Sequence, residues 1–283
     1  MSRTARDAGI ARLYHYENFV PEYLADLLTE RRVHCSNLGA LNDPWDCRPW
    51  FADEALYDAD AVDKLLDFFF ASNPTAPVSE GQKRATRKEF QVNREYRRGI
   101  LDRFSEGFLK MIPDRWRIYC LTPVPDSTLM WSHYADDHKG ICLEFEVDDM
   151  LFGFALEVTY HLEYPKWTPH TLFTDGVPHV LLTKSDDWRY EREYRIIGIR
   201  PQAGIGSHPL FLEGDFLRIP GGAMKAVIVG CEADFDAVAT VVRKTAPDVE
   251  LKRAVRSRTR YRLEIESSVI TPTQATSRPS AAS

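Results

Sequence analysis

Two carboxylates stand two residues apart in Trp188-Arg189-Tyr190-Glu191-Arg192-Glu193-Tyr194-Arg195, the stretch of this sequence best suited to chemistry. Side chains at i and i+2 of a strand share a face, so a strand beginning at Glu191 would turn both carboxylates the same way. Like charges held close raise at least one pKa, which suits proton transfer. The plainer reading is a solvated strand edge, with the carboxylates paired to Arg189, Arg192 or Arg195. The flanking Trp188, Tyr190 and Tyr194 favour a cleft wall instead.

A second group lies in Leu129-Met130-Trp131-Ser132-His133-Tyr134-Ala135. On a helix, Met130, His133 and Tyr134 share a face, as do Trp131 and Tyr134. Rings and polar edges together suit a site that stacks a flat ring and bonds its rim. Trp131 and Tyr134 as core, with His133 bonding a carbonyl, is an equal reading. His133 and His138 lack metal-ligand spacing and there is no H-E-x-x-H, so no metal site is expected there. A third group joins Tyr14-His15-Tyr16 on a strand to Asn42-Asp43-Pro44 in a loop. A histidine on an apolar strand is most often structural, and Asp43 suits holding its own turn. Lys83, Arg84, Arg87, Lys88, Arg94, Arg97 and Arg98 outnumber Glu80, Glu89 and Glu95, and could meet phosphates or form a solvated helix face. No G-x-S-x-G marks a nucleophile.

The elements that must position these groups follow from periodicity. Leu13 to Tyr16 reads as a strand, 20–32 as a helix with Leu24, Leu27 and Leu28 inward, and 33–36 as a strand. A helix is expected over 54–70 and one long or broken helix over 80–111, separated by a loop at 71–79. Strands are expected at 117–122, 140–147, 155–160, 193–199, 210–217, 226–230, 250–255 and 260–266. Helices are expected at 127–135, capped by Ser127 or Asp126, at 177–184 and at 233–245. The Ser, Thr, Pro and Ala tail from 268 to 283 is too polar to order itself. The sum is one α+β domain over 1–267, with mixed, mostly antiparallel short strands and a helical insertion at about 54–112. Regular βαβ alternation is missing, as are G-x-G-x-x-G and G-x-x-x-x-G-K-S/T, which speaks against a Rossmann dehydrogenase and a P-loop nucleotidase.

Composition bounds the partners. The chain has 283 residues, 44% hydrophobic and 28% charged, with net charge −6. A mildly acidic protein needs a local basic patch to bind nucleic acid. No stretch nears the about 18 apolar residues of a membrane span, and the N-terminus has no secretory apolar region, so a cytoplasmic protein is expected. Cys35, Cys47, Cys120, Cys142 and Cys231 are odd in number and widely spaced, which argues against disulfides and a zinc ribbon.

Read in order, Leu-Tyr-His-Tyr, Asn-Asp-Pro, Met-Trp-Ser-His-Tyr-Ala-Asp with Lys-Gly, Val-Thr-Tyr, Lys184 with Trp-x-Tyr-Glu-x-Glu-Tyr-Arg, and Val-Ile-Val-Gly resemble the bacterial family called domain of unknown function 2971. The resemblance runs from about Leu13 to about Ile265. More remotely the plan is similar to the ADP-ribosyltransferase superfamily, with His15, Tyr134 and Glu193 in the superfamily's order. The usual Ser-Thr-Ser strand is absent and a helical insertion splits the chain. This second resemblance implies NAD as cosubstrate and a protein or nucleic-acid acceptor. It also implies a role as toxin or phage-defence effector, with a neutralising partner protein. It implies that Glu193 stabilises an oxocarbenium-like ribose and Glu191 orients or deprotonates the acceptor. Tyr134 or Trp131 would stack on nicotinamide, with His15, Tyr16, Asn42, Asp43 and His133 as further cofactor contacts. Two rivals stand beside it: a non-catalytic ligand-sensing or interaction module, and a nuclease holding Mg²⁺ through Asp43, Glu191, Glu193 and Lys184.

Overall fold

Alternation along two central strands explains how this chain layers. In a computed structural model, residues 2–51, 63, 66–67, 70, 78–147, 150–167, 176–201 and 210–267 are described. The expected tail at 268–283, most of the helix at 54–70 and the loop at 71–77 lie outside them. Strand β1 (Arg12–Glu17) pairs with β5 (Ile141–Glu146), followed by β11 (Met224–Val229), β12 (Glu250–Arg256) and β13 (Leu263–Ser267). One face of this sheet carries Leu13, Ile141, Leu143, Phe145, Val227 and Val229. Helices α1 (Pro21–Glu30) and α6 (Phe235–Thr245) bury Leu24, Leu27, Leu28, Val238, Ala239 and Val242 in the same cluster. The opposite face carries Tyr16, Cys142 and Ile228, packed with Met130 and Trp131 of α4 (Thr128–Tyr134). A period of two thus gives each face its own helical cover.

A second sheet runs β3 (Ser36–Asn37), β4 (Trp116–Leu121), β9 (Tyr194–Ile199), β6 (Leu156–Glu157). Its outer cluster is closed by α2 (Glu80–Val92) and α3 (Arg94–Arg115) through Phe90, Ile100, Leu101, Phe108 and Ile112. Of the two forms expected over 80–111, the chain takes the broken one: it breaks at Asn93, whose side chain caps α3 by accepting from Tyr96 N at 3.1 Å. The two sheets join where Tyr14 N donates to Thr122 O at 2.7 Å and Thr122 N to Tyr14 O at 2.9 Å. Two short ladders, β2 (Arg32–His34) with β10 (Phe216–Arg218) and β7 (Thr159–His161) with β8 (Thr183–Ser185), complete the set. Among the described residues seven of nine ladders are antiparallel, giving mixed helix and strand with several short sheets.

Several boundaries differ from the sequence reading. Residues 155–160 divide into β6 and the start of β7, because Val158 N turns aside to Glu193 O at 3.0 Å. The helix expected at 177–184 stops as α5 (Val177–Leu181), and Lys184 lies on β8. The strand expected at 210–217 is a pair of isolated bridges before β10. Glu191 and Glu193 are not strand residues. Glu191 ends a 3-10 turn (Asp186–Glu191), Arg192 takes φ 49°, and β9 begins at Tyr194.

Between α4 and β5 the chain reverses through Asp136, Asp137 and His138, all at positive φ. Gly140 completes the reversal, and a Cβ there would overlap the carbonyl oxygen of Glu17 on β1. Only glycine lets α4 sit this close to the sheet.

Candidate active site

Arg195 on β9 organises the site from below. Its Nη1 and Nη2 donate to Asp46 Oδ1 and Oδ2 at 2.9 and 2.6 Å. Its Nε and Nη2 donate to Glu193 Oε1 and Oε2 at 2.7 and 2.9 Å, and Nη1 also donates to Leu181 O at 2.7 Å. All the N–H groups of the guanidinium are thereby used, in the planar fork that arginine offers two carboxylates. Lys184 Nζ lies above it, donating to Glu191 Oε2 at 2.5 Å and Glu193 Oε2 at 3.1 Å, with Asp46 Oδ2 at 3.8 Å. These five ionisable side chains are buried. Burying any one alone would be costly, and mutual pairing is what makes the group tolerable.

Backbone geometry brings the carboxylates together by a route other than strand alternation. The left-handed Arg192 folds the end of the 3-10 turn back so that Glu191 and Glu193 meet one ammonium. Thr122 Oγ1 donates to Glu191 O at 2.6 Å, and Glu193 N donates to Tyr160 Oη at 2.8 Å, pinning both sides of that residue. Trp188 places its ring 5.1 Å from Lys184 Nζ.

The walls come from β1, the 40–42 loop and α4, enclosing a cleft of about 360 Å³. Ser127 accepts from Met130 N at 3.3 Å and starts α4, which carries Tyr134 over the floor. Tyr134 Oη donates to Glu191 Oε1 at 2.6 Å and accepts from Asn42 Nδ2 at 3.2 Å. His15 stacks on Tyr119 at 4.3 Å between ring centroids. Its Nδ1 donates to Cys120 O at 2.7 Å, since a carbonyl can only accept, which leaves Nε2 as the acceptor.

Electrostatics separates the two glutamates. Burial raises the Glu193 carboxyl, but Arg195 and then Lys184 outweigh it and hold it at about 2. Burial raises Glu191, and the Glu193 charge adds to this against the pull of Lys184, so it stays above its ordinary value. Two adjacent carboxylates whose environments drive their pKa values apart divide into a fixed charge and a proton-exchanging group. Lys184 is raised: burial opposes its charge, but Glu193 and Glu191 overcome that. Burial lowers His15 to about 4, keeping it neutral near pH 7.

Of the residues singled out in the sequence, His15, Tyr16, Asn42, His133, Tyr134, Glu191 and Glu193 line one cleft. Trp131 and Asp43 stand apart from its lining. Trp131 is 0% exposed, its Nε1 donates to Pro125 O at 2.9 Å, and its ring meets Tyr16 edge-on. Asp43 Oδ1 accepts from Trp45 N at 2.9 Å and holds the turn. Tyr16 contributes little polar reach, because its hydroxyl already donates to Val124 O at 2.6 Å. His133 is exposed, its ring between Tyr134 and Trp188.

Sequence reasoning missed Asp46 as the partner of Arg195, and missed the roles of Thr122 and Tyr160. The Glu193–Arg195 spacing was a usable signal, since i and i+2 share a face of an extended chain. Asp46 gave none, because its partner is 149 residues away.

Fold and site therefore define a mixed helix-and-strand protein with a polar cleft above a buried ion network. A sequence profile of the family described as protein of unknown function (DUF2971) matches residues 130–164, a partial match. The matched stretch carries His133 and Tyr134 and stops short of Lys184, Glu191 and Glu193. No curated protein and no solved structure matches the chain.

Proposed function

We propose that the cleft is the active site of an NAD-dependent ADP-ribosyltransferase in which Glu191 moves the proton and Glu193 supplies fixed charge. The observation that carries this reading is the pair of carboxylates on one ammonium with pKa values driven in opposite directions. The bond between ribose C1′ and nicotinamide breaks, and nicotinamide leaves with the electron pair. The acceptor nucleophile bonds to C1′, and its proton passes to Glu191. Glu193 stays ionised throughout and stabilises the positive charge that develops on the ribose. Neutral His15 offers Nε2 as an acceptor for a ribose hydroxyl or amide. Tyr134 keeps Glu191 oriented and forms a ring wall for nicotinamide. A volume of about 360 Å³ falls within the range of small-molecule sites.

Calorimetric titration with NAD, followed by nicotinamide release in the presence of cell extract, tests the reading. Binding together with release supports it, and neither binding nor release overturns it.

A second reading, a non-catalytic ligand-binding module, is favoured by the saturation of the floor. Both Glu193 oxygens are bonded to Arg195, and the Glu191 oxygens to Tyr134 and Lys184. A ligand that stabilises the protein without any turnover would support this second reading. The Mg²⁺ nuclease draws no comparable support: Asp43 faces its own turn, and the Lys184 ammonium sits between the carboxylates where a cation would bind.

A further inference from the structure

We propose that the β12–β13 hairpin and the cleft beneath it bind single-stranded nucleic acid, with arginines on the phosphates and Tyr261 stacking on a base. Arg256, Arg258, Arg260 and Arg262 alternate through this hairpin, in a protein whose net charge is −6. Such a local concentration of cationic groups is what an acidic protein needs to hold a polyanion. Arg258 and Arg260 are exposed. Arg256 and Arg262 meet Glu232 and Glu264 only at 3.4 Å, at exposed positions where such pairs contribute little and yield to a competing phosphate. Tyr261 stands wholly in solvent at 110% exposure, among these guanidiniums. An exposed ring among cations suits an unpaired base, whose faces are open, better than a duplex, whose bases are already stacked.

The geometry beneath the hairpin fits an extended strand. A cleft of about 900 Å³ lies between the arginines and a wall made by Thr128, His138, Cys231 and Glu232. His138 Nδ1 on that wall is buried with no hydrogen-bond partner. Thr128 begins α4, and His133 and Tyr134 on the same seven-residue helix line the candidate active site. The two ends of α4 thus border the basic cleft and the candidate active site. The basic helical pair α2–α3 is a weaker platform. There Lys83 pairs with Glu80 at 2.8 Å, and Arg87 with Asp63 and Asp67 at 3.0 and 2.8 Å.

The inference needs no transferase activity, and its test contains no NAD, so it can fail or succeed independently of that reading. Fluorescence anisotropy would follow labelled oligo-dT and oligo-rU binding to the full chain, at salt between about 50 and 200 mM. Wild type should bind, and Arg258→Ala/Arg260→Ala should weaken binding and lower the log–log salt slope by about 1.4, since each of the two lost phosphate contacts removes about 0.7. Tyr261→Ala should weaken binding by about 5- to 150-fold. Arg84→Ala/Lys88→Ala on α2 should bind as wild type. Preference between the two oligonucleotides assigns the strand as DNA or RNA. Four results would overturn the proposal: no binding at low salt, tighter binding to a duplex, equal binding to poly-glutamate, or loss with the α2 variant but not the hairpin variants.

Discussion

Glu191 and Glu193 sit on the same ammonium, yet removing the charge of each has a different consequence. Glu191→Gln should lower turnover by about 10²- to 10⁴-fold, the usual worth of a positioned proton acceptor, with the fold retained. Its amide can still accept from Lys184 and donate to Tyr134 Oη. The pH dependence of stability follows from the two shifts. Glu191 has a raised folded pKa, so its contribution is complete below the ordinary carboxylate range and is lost as pH rises through the folded value. Thermal melts of Glu191→Gln should therefore fall less than wild type as pH rises above that range. Glu193 runs the other way, its contribution present above the ordinary range and lost as pH falls toward about 2. Lys184→Met takes the cation away from buried Glu191 and leaves Asp46 and Glu193 on one guanidinium, and should cost about 3–5 kcal/mol in denaturant unfolding. The residue types of this site were readable because aromatic and polar groups recur in short blocks. Trp131 misleads at this scale: an indole in a polar block suits stacking, but its helical phase turns it into the sheet. Trp131→Phe should destabilise the protein while leaving turnover per folded molecule within a few-fold of wild type, measured on the soluble fraction.

Short elements with ordered ends do most of the positioning. α4 has seven residues, too few to be stable by propensity, and depends on the Ser127 cap and the packing of Met130 and Trp131. Ser127→Ala should cost about 1 kcal/mol, seen as a lower denaturation midpoint. It should also weaken ligand binding, because Tyr134 sits at the end of that helix. Strong periodicity made most elements legible: α1, α4, α6, β4, β5 and β9 fall within a residue or two of their expected positions. Two details that periodicity left open share a cause. Asn93 breaks the helix expected over 80–111 by capping, and Arg192, left-handed at the end of a 3-10 turn, keeps the strand from beginning at Glu191. Local backbone exceptions leave hydrophobic spacing unchanged, so spacing alone cannot reveal them.

Across the whole molecule, Asp46 and Lys184 form a partition. They line the candidate active site and, on its other side, a cleft of about 260 Å³ that Trp45 and Trp167 also border. Asp46 is linked to β9 through Arg195, a contact 149 residues apart in sequence, and single-sequence reading has no access to such pairs. The sheet-joining bridge at Tyr14 and Thr122 was hidden for the same reason. Among the described residues no helix is long and apolar enough to cross a membrane. In the function proposed for this cleft, ADP-ribose is transferred from NAD with Glu191 as the proton acceptor. Nicotinamide release should therefore be timed for wild type and Glu191→Gln side by side, with cell extract as acceptor. The account predicts release by wild type and a loss of at least about 100-fold in the variant. Equal rates in the two proteins, or no release by either, would contradict it.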